Sequence, residues 1–305
     1  MLFLSEEQVR ELLQLEDLIP ALERALVSFS TGLVRQPLRT IISIEEHQAF
    51  LGVMPAVYGD VMGAKLVCVF PGNASRGLHT HLAMIQLFRS DTGEPLAAID
   101  GRLITELRTA ALSAIATKTL APASTPVLAV LGSGVQARAH IRALRLVRQF
   151  EEIRIWSRTP AHAERLAEEV GGKSTALEAA VRDADVVITV TNSPEPIVRG
   201  EWLKAGAYVN AVGAVGPARR ELDAEVMRSG PVIVESREAA SRESGEIIIP
   251  QVPVYAELGE ILAGKIPAPT GGNIIFKSTG IAVEDLAAAK LVYDAFTALV
   301  ASVSK

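Results

Sequence analysis

Three cations stand where cations are costly. Arg108 lies in an apolar helical run, Leu103 to Leu120, where its neighbours at −4, +3, +4 and +7 are Ile104, Ala111, Leu112 and Ile115. An unpaired guanidinium on that stripe is strongly unfavourable, so Arg108 requires an anion. Lys65 interrupts the strand-like run Gly63 to Val69, and Arg39 falls within Pro37 to Ile42. For each alone, an edge-strand charge that snorkels to water, or half of a structural ion pair, is the commoner explanation. Together they suggest a pocket for a carboxylate.

A second chemistry-bearing stretch runs from Val127 to Thr159. An apolar run, Val127 to Leu131, breaks at Gly132-Ser133-Gly134-Val135-Gln136-Ala137 into a helical pattern that leads to a second apolar run, Ile153 to Trp156. In a dinucleotide-binding unit of this form Gly132 makes the tight turn and Gly134 lets the pyrophosphate approach the backbone. The small Ala137 lets the helix pack on the sheet, and the helix N-terminus faces the phosphates. The pattern alone is common in Gly-rich loops; its weight comes from the strands on either side. Where an NAD enzyme places an acid on the ribose 2′-hydroxyl, this chain has Ser157-Arg158-Thr159. An Arg with two hydroxyl neighbours suits a 2′-phosphate, so NADPH is the expected cofactor, with NADH a weaker alternative. The plain alternative is that Arg158 is a solvated loop residue.

Other polar residues say less. His79 and His81 share a face of an extended segment but have no third ligand, so no metal site is expected, and a place for His81 near the cofactor is the better reading. Glu257 reads equally as an exposed helix acid or as a partner for a substrate amine. Trp156 and Trp202 fit packing. Cys68 is the single cysteine, which excludes an intramolecular disulfide or a cysteine zinc site, and its apolar strand suggests a core position.

The elements that must position these groups follow from periodicity. Ser5-Glu6-Glu7-Gln8 fits a capping box, and a helix from Leu18 to Ser30 stops near Gly32. Pro37 to Ser43, Ala49 to Ala56, Val61 to Phe70, His81 to Phe88 and Pro95 to Ile99 read as an antiparallel sheet. From Val127 strands (also Val186 to Thr191, Ala207 to Val212 and Val232 to Glu235) alternate with helices, which argues for a parallel, doubly wound sheet. Ile274 to Lys277 is a further short apolar run. A final helix, Val283 to Val300, has a broad apolar face (Leu286, Ala289, Leu291, Val292, Phe296, Leu299) and is expected to pack on the N-terminal domain. The expected organisation is an α/β chain: residues 1–120 and 278–305 form a discontinuous α+β domain, and residues 121–277 form an inserted Rossmann domain.

At 305 residues with net charge −5, the chain has room for two cores and no basic field for nucleic acid. No apolar segment approaches the ~20 residues of a membrane span. The N-terminus turns acidic within five residues, so neither a signal peptide nor a membrane association is expected and a cytoplasmic location is.

In this order, the motifs resemble the ornithine cyclodeaminase and mu-crystallin family. They are Phe50-Leu51-Gly52-Val53-Met54-Pro55, Gly63-Ala64-Lys65-Leu66-Val67, Arg108-Thr109-Ala110-Ala111, Leu131 to Ala137, Asn210-Ala211-Val212-Gly213, Glu221-Leu222-Asp223, Ala256 to Glu260 and Phe276-Lys277-Ser278-Thr279-Gly280. The likeness covers nearly the whole chain and leans toward the mu-crystallin-type ketimine reductases. It implies a homodimer formed through the discontinuous domain. It further implies that Arg39, Lys65 and Arg108 surround a substrate carboxylate, with Lys65 and Arg108 catalytic, and that Glu257 contacts the ligand. Thr80, His81, Arg108, Val135, Gln136, Ser157, Arg158, Thr159, Thr191, Val212 and Ser278 would join Gly132 and Gly134 at the cofactor. One departure separates subfamilies. The cyclodeaminases and related alanine dehydrogenases carry an Asp two residues after the Asn-Ala-Val-Gly glycine, and this chain has Val215. Valine can neither accept a proton nor pair with an ammonium, so ornithine cyclodeamination recedes. The expectation becomes reduction of Δ1-piperideine-2-carboxylate or Δ1-pyrroline-2-carboxylate to L-pipecolate or L-proline. Reductive amination of a 2-oxo acid with an amine, or NADPH-dependent holding of a small ligand, are the alternatives.

Overall fold

The computed structural model describes residues 1–303; Ser304 and Lys305, included in the expected first domain, lie outside the described residues. The chain forms two compact units, Met1–Arg108 with the segment from Ile281 onward, and Thr109–Gly280.

The first unit holds a seven-stranded sheet: β1 (Leu2–Leu4), β2 (Val34–Arg35), β3 (Thr40–Ile44), β4 (Ala49–Tyr58), β5 (Val61–Val69), β6 (His81–Arg89) and β7 (Pro95–Asp100). The order is β1-β7-β6-β5-β4-β2, with β3 also on β4. All pairs are antiparallel except β1 with β7. β1 is too short to show alternation, which is why periodicity does not reveal it. The Ser5 capping box forms: Gln8 N donates to Ser5 Oγ (3.4 Å) and Ser5 N to Gln8 Oε1 (2.9 Å). The helix expected from Leu18 begins at Leu15 and buries Leu15, Leu18, Ile19, Leu22, Ala25 and Leu26.

β5 lies in the middle of this sheet, so alternate residues face opposite layers. Lys65 and Val67 are on the buried face with Met54 and Ile85. Leu66 and Cys68 are on the other face, where Cys68 is only half-buried rather than core, because that face carries exposed Leu82 and Met84 beside it. The final helix, Ala282–Val303, buries Leu286, Ala289 and Val292, but Leu299 is exposed, since the helix outruns the surface it packs on.

The second unit is an eight-stranded parallel sheet of β8 (Val127–Leu131), β9 (Glu152–Trp156), β10 (Lys173–Ser174), β11 (Val186–Thr189), β12 (Tyr208–Ala211), β13 (Val232–Val234), β14 (Val254–Glu257) and β15 (Ile274–Lys277). Its order is β10-β9-β8-β11-β12-β15-β13-β14, the doubly wound Rossmann arrangement. β8, β11, β12 and β15 are near-continuous apolar runs, as a parallel sheet buried on both faces demands. The run Ile274–Lys277 thus becomes an interior strand between β12 and β13. Strand order reverses between β8 and β11, which opens a crevice beyond their C-terminal ends. The Rossmann class expected from alternation is therefore the one observed.

Candidate active site

In the first unit, the central position of β5 removes the snorkelling explanation for Lys65. The side chain is 1 % exposed and its Nζ lies 2.6 Å from Asp285 Oδ2. Arg108 Nε donates to Asp285 Oδ1 at 3.0 Å, and its Nη1 to Glu284 Oε2 at 2.7 Å. The anion that Arg108 requires is thus supplied by the first turn of the helix Ala282–Val303. Both carboxylates also meet the positive end of that helix, where Val283 N already donates to Gln36 Oε1 (2.9 Å). Arg39 lies just before β3, not inside a strand, half-buried.

The electrostatics tie these groups together. Burial pushes the Lys65 ammonium down to about 8; Asp285 pulls it back up, while Arg108 and Arg39 push it lower. For Asp285, burial acts upward, but Lys65 and Arg108 hold the carboxyl below its usual range. His81 opens β6 opposite Val69. Burial, then Lys65 and Arg108, take its imidazole down to about 4, so it is neutral at physiological pH. Arg39 and Arg108 thus act on Lys65, and Lys65 and Arg108 act on His81, a residue that the sequence alone sets beside the cofactor rather than in this cluster. Thr80, beside His81, accepts through its backbone oxygen from Phe70 N (2.8 Å).

In the second unit the glycine turn is built as its spacing requires. Gly132 has φ +133°, and a Cβ there would lie 2.7 Å from Val190 O. Only glycine fits between β8 and the end of β11. Gly134 caps the helix Val135–Arg145 without a side-chain cap, so its first N–H groups lie open at the crevice. Val135 is exposed and Ala137 is buried; Gln136 is half-buried. Ser133 Oγ donates to Ser157 Oγ (2.9 Å), and Thr159 N to the same oxygen (3.4 Å), which ties the glycine turn to the turn after β9. Arg158 is exposed there, and no acid follows β9 in that turn. A helix N-terminus without a side-chain cap and a cramped glycine at this end of the sheet suit the pyrophosphate of a dinucleotide.

Thr191, Val212 and Ser278 follow the ends of β11, β12 and β15. The two hydroxyls among them are already committed. Thr191 Oγ1 donates to Glu221 (2.6 Å) and Ser278 Oγ to Glu235 (2.7 Å), and Glu235 also accepts from the N–H groups of Thr279 and Gly280. Glu257 is not an exposed helix acid. It ends β14, at the edge of the sheet, and caps the helix Leu258–Leu262 while its Oε1 accepts from Arg237 N (2.9 Å).

Glu284, Asp285 and Glu235 escape a reading of the sequence, and Glu221 enters it only as part of the motif Glu221-Leu222-Asp223, without its contacts. Acids at a helix start look like ordinary dipole partners, and the only signal against that is two adjacent charges opening an otherwise apolar helix. Among the described residues no group of three His, Cys, Asp or Glu could hold a metal, and no helix is long and apolar enough to cross a membrane.

The whole fold has close relatives. The family model described as ornithine cyclodeaminase/mu-crystallin matches residues 1–299. The ketimine reductase mu-crystallin of Mus musculus is 46 % identical over 304 residues, covering 97 % of both chains. The structure of Thermococcus litoralis Δ1-pyrroline-2-carboxylate reductase in complex with NADH and L-proline is similar at TM-score 0.92 and 35 % identity, covering 97 % of each chain. An archaeal alanine dehydrogenase dimer with bound NAD is similar at TM-score 0.94 and 31 % identity, covering 98 % of this chain and 96 % of that one. With a match that runs through the sheet, the glycine turn and the Lys65–Arg108 cluster alike, this chain belongs to the ornithine cyclodeaminase/mu-crystallin family.

Proposed function

We propose that this protein is an NADPH-dependent reductase of cyclic 2-carboxy imines, forming L-pipecolate from Δ1-piperideine-2-carboxylate or L-proline from Δ1-pyrroline-2-carboxylate. The observation that carries this reading is the buried cluster in which Lys65, its pKa near 8, stands among Arg108, Asp285 and the field of Arg39. A substrate carboxylate brought there meets guanidinium and ammonium groups already held in place, and the charge-assisted bonds offset the desolvation of all partners. The names of the mouse and Thermococcus relatives, a ketimine reductase and a Δ1-pyrroline-2-carboxylate reductase, support it.

A dihydronicotinamide held by the second unit would supply the hydride that reduces C2 of the ring, the C=N π pair passing to nitrogen. Arg108 and Arg39 would fix the carboxylate and with it the position of C2, and the rate gain would be chiefly one of orientation. Lys65 carries a proton at neutral pH and can place it on the imine nitrogen, which makes the carbon electron-poor; Asp285 fixes the ammonium in position. Val215, half-buried in the loop after β12, offers no base for the reverse attack on a protonated amine.

The choice of NADPH rests on the exposed Arg158 between Ser157 and Thr159; the solved relatives hold NADH and NAD, which makes NADH the second reading. A homodimer is part of the same proposal. Leu66 pairs with Met84 and Cys68 with Leu82 on the outward face of the first sheet, and Leu66, Leu82 and Met84 are exposed. Ile42 continues that apolar surface, of a kind that monomers seldom leave uncovered. The archaeal relative is a dimer.

Steady-state NADPH oxidation with the two cyclic imines, set against pyruvate plus ammonia or methylamine, tests the reaction. Turnover with the imines alone is the expected result. Activity confined to the open-chain oxo acid would make the protein a reductive aminase, and tight NADPH-dependent ligand binding without turnover would make it a binding protein.

A further inference from the structure

The second unit buries charge that no ligand contact explains. Glu221 is 0 % exposed, yet its carboxylate accepts five hydrogen bonds, four from two separate loops and one from within a strand. Oε1 takes Thr191 N (2.7 Å) and Thr191 Oγ1 (2.6 Å), just beyond β11. Oε2 takes Gly213 N (2.7 Å) and Ala214 N (3.2 Å), just beyond β12, and Thr189 Oγ1 (2.7 Å) from within β11. The network is anchored from below. Glu221 N donates to Glu246 Oε1 (2.9 Å), and Lys277, buried at the end of β15, donates to Ala214 O (2.5 Å) and lies 3.5 Å from Glu246 Oε2.

Stability alone is a poor reason for such an arrangement, because well-packed apolar residues serve as well as or better than buried charge in most cores. Burial pushes the Glu221 carboxyl up, against the pull of Thr191 and Lys277. What a carboxylate does that an apolar side chain cannot is gather N–H groups from two loops onto one point. The approach is tight: a Cβ on Gly213 would lie 2.2 Å from Thr191 O and 2.7 Å from Glu221 Oε1. These loops stand at one side of the switch point. A dinucleotide whose pyrophosphate lies at Gly132–Gly134 and whose adenosine end reaches Arg158 after β9 must lay its other half across the ends of β11 and β12.

We propose that Glu221 is a positioning residue, whose buried carboxylate sets the spacing between the Thr191 loop and the Gly213–Ala214 loop and so shapes the seat of the nicotinamide half of the cofactor. This rests on the reading of the second unit as a nicotinamide dinucleotide site, and adds to it a residue that touches neither cofactor nor substrate.

The test compares two ligands on the full-length protein. NADPH reaches both halves of the site; adenosine 2′,5′-bisphosphate occupies only the adenosine end. Glu221→Gln is expected to weaken NADPH about ten-fold in a fluorescence titration while changing the bisphosphate by less than about two-fold. Lys204→Met, which breaks the Lys204–Asp185 pair at the opposite ends of β8 and β11, is the control for general destabilisation and should leave both ligands alike. Equal losses for both ligands, or no loss for NADPH, would overturn the proposal. Should Glu221→Gln fail to fold, Thr189→Val removes one donor in an isosteric, fully buried position and should show the same selectivity at about three-fold; an unchanged NADPH affinity there overturns it equally. A wild-type chain that binds NADPH but turns over no imine would refute the reaction and leave the comparison valid, whereas one that binds neither NADPH nor NADH would refute both.

Discussion

The two units bury charge in opposite ways. In the first, Lys65 is paired with Asp285 yet stands within the fields of Arg108 and Arg39, so its ammonium is at once held and crowded by like charge. In the second, Glu221 is satisfied from within by backbone N–H groups and threonine hydroxyls, and the open donors are left at the helix N-terminus after Gly134. The lesson is that buried charge answers two needs. On the proposed reading, side-chain cations in the first unit would recognise a small acid directly, whereas the buried carboxylate in the second would act only through the backbone it gathers.

The sharpest way to break this contrast is Arg108→Ala. It removes the group proposed to hold the substrate carboxylate and takes one partner from Glu284 and Asp285, so kcat/KM should fall by roughly a thousand-fold or more, about 4 kcal/mol. Wild-type kinetics would show that Arg108 is only an ion pair. Next comes the outward sheet face. Leu66→Glu places a charge amid Leu82 and Met84 and should convert a dimer to monomer in light scattering, an effect of several kcal/mol; an unchanged mass would clear that face of the interface. Arg158→Ala should raise the KM for NADPH roughly ten- to a hundred-fold while moving that for NADH little. Equal changes would remove the 2′-phosphate argument.

The pH profile sharpens the comparison further. Lys65 acts as an acid only when protonated, so reduction should decline as pH rises past about 8. Asp285 favours the charged ammonium, so Asp285→Asn should shift that limb to lower pH; a shift upward, or none, would disconnect Lys65 from proton transfer. His81, at about 4, should add no limb between pH 5 and 8. The smallest effect is expected from Ser133→Ala, which breaks a neutral hydrogen bond to Ser157 worth about 1 kcal/mol, a few-fold in NADPH affinity. A loss as large as that of Arg158→Ala would show that the two turns are coupled more strongly than one hydrogen bond allows.

Local order was legible wherever period and turn chemistry agreed. Strand alternation, the Ser5 cap and the glycine turn of Gly132 are visible because each depends on residues close in the chain. The Rossmann order of the second sheet also follows, since alternating strands and helices admit few right-handed topologies. The short β1 and β14 carry too few residues for a period. Glu257 was ambiguous because a strand end and a helix cap look alike until the next strand is placed.

The chain by itself determined which residues are out of place: cations in apolar runs, a glycine pair between strands, an Arg where an acid would stand, a Val where an Asp would. These are properties of local pattern, and burial in either unit follows from them. Only the tertiary structure decided what answers each anomaly. Lys65 and Arg108 find Asp285, more than 170 positions away in sequence for Arg108, and Thr191 finds Glu221. Partners across such separations are chosen by sheet order and helix docking, which no window of neighbouring residues contains.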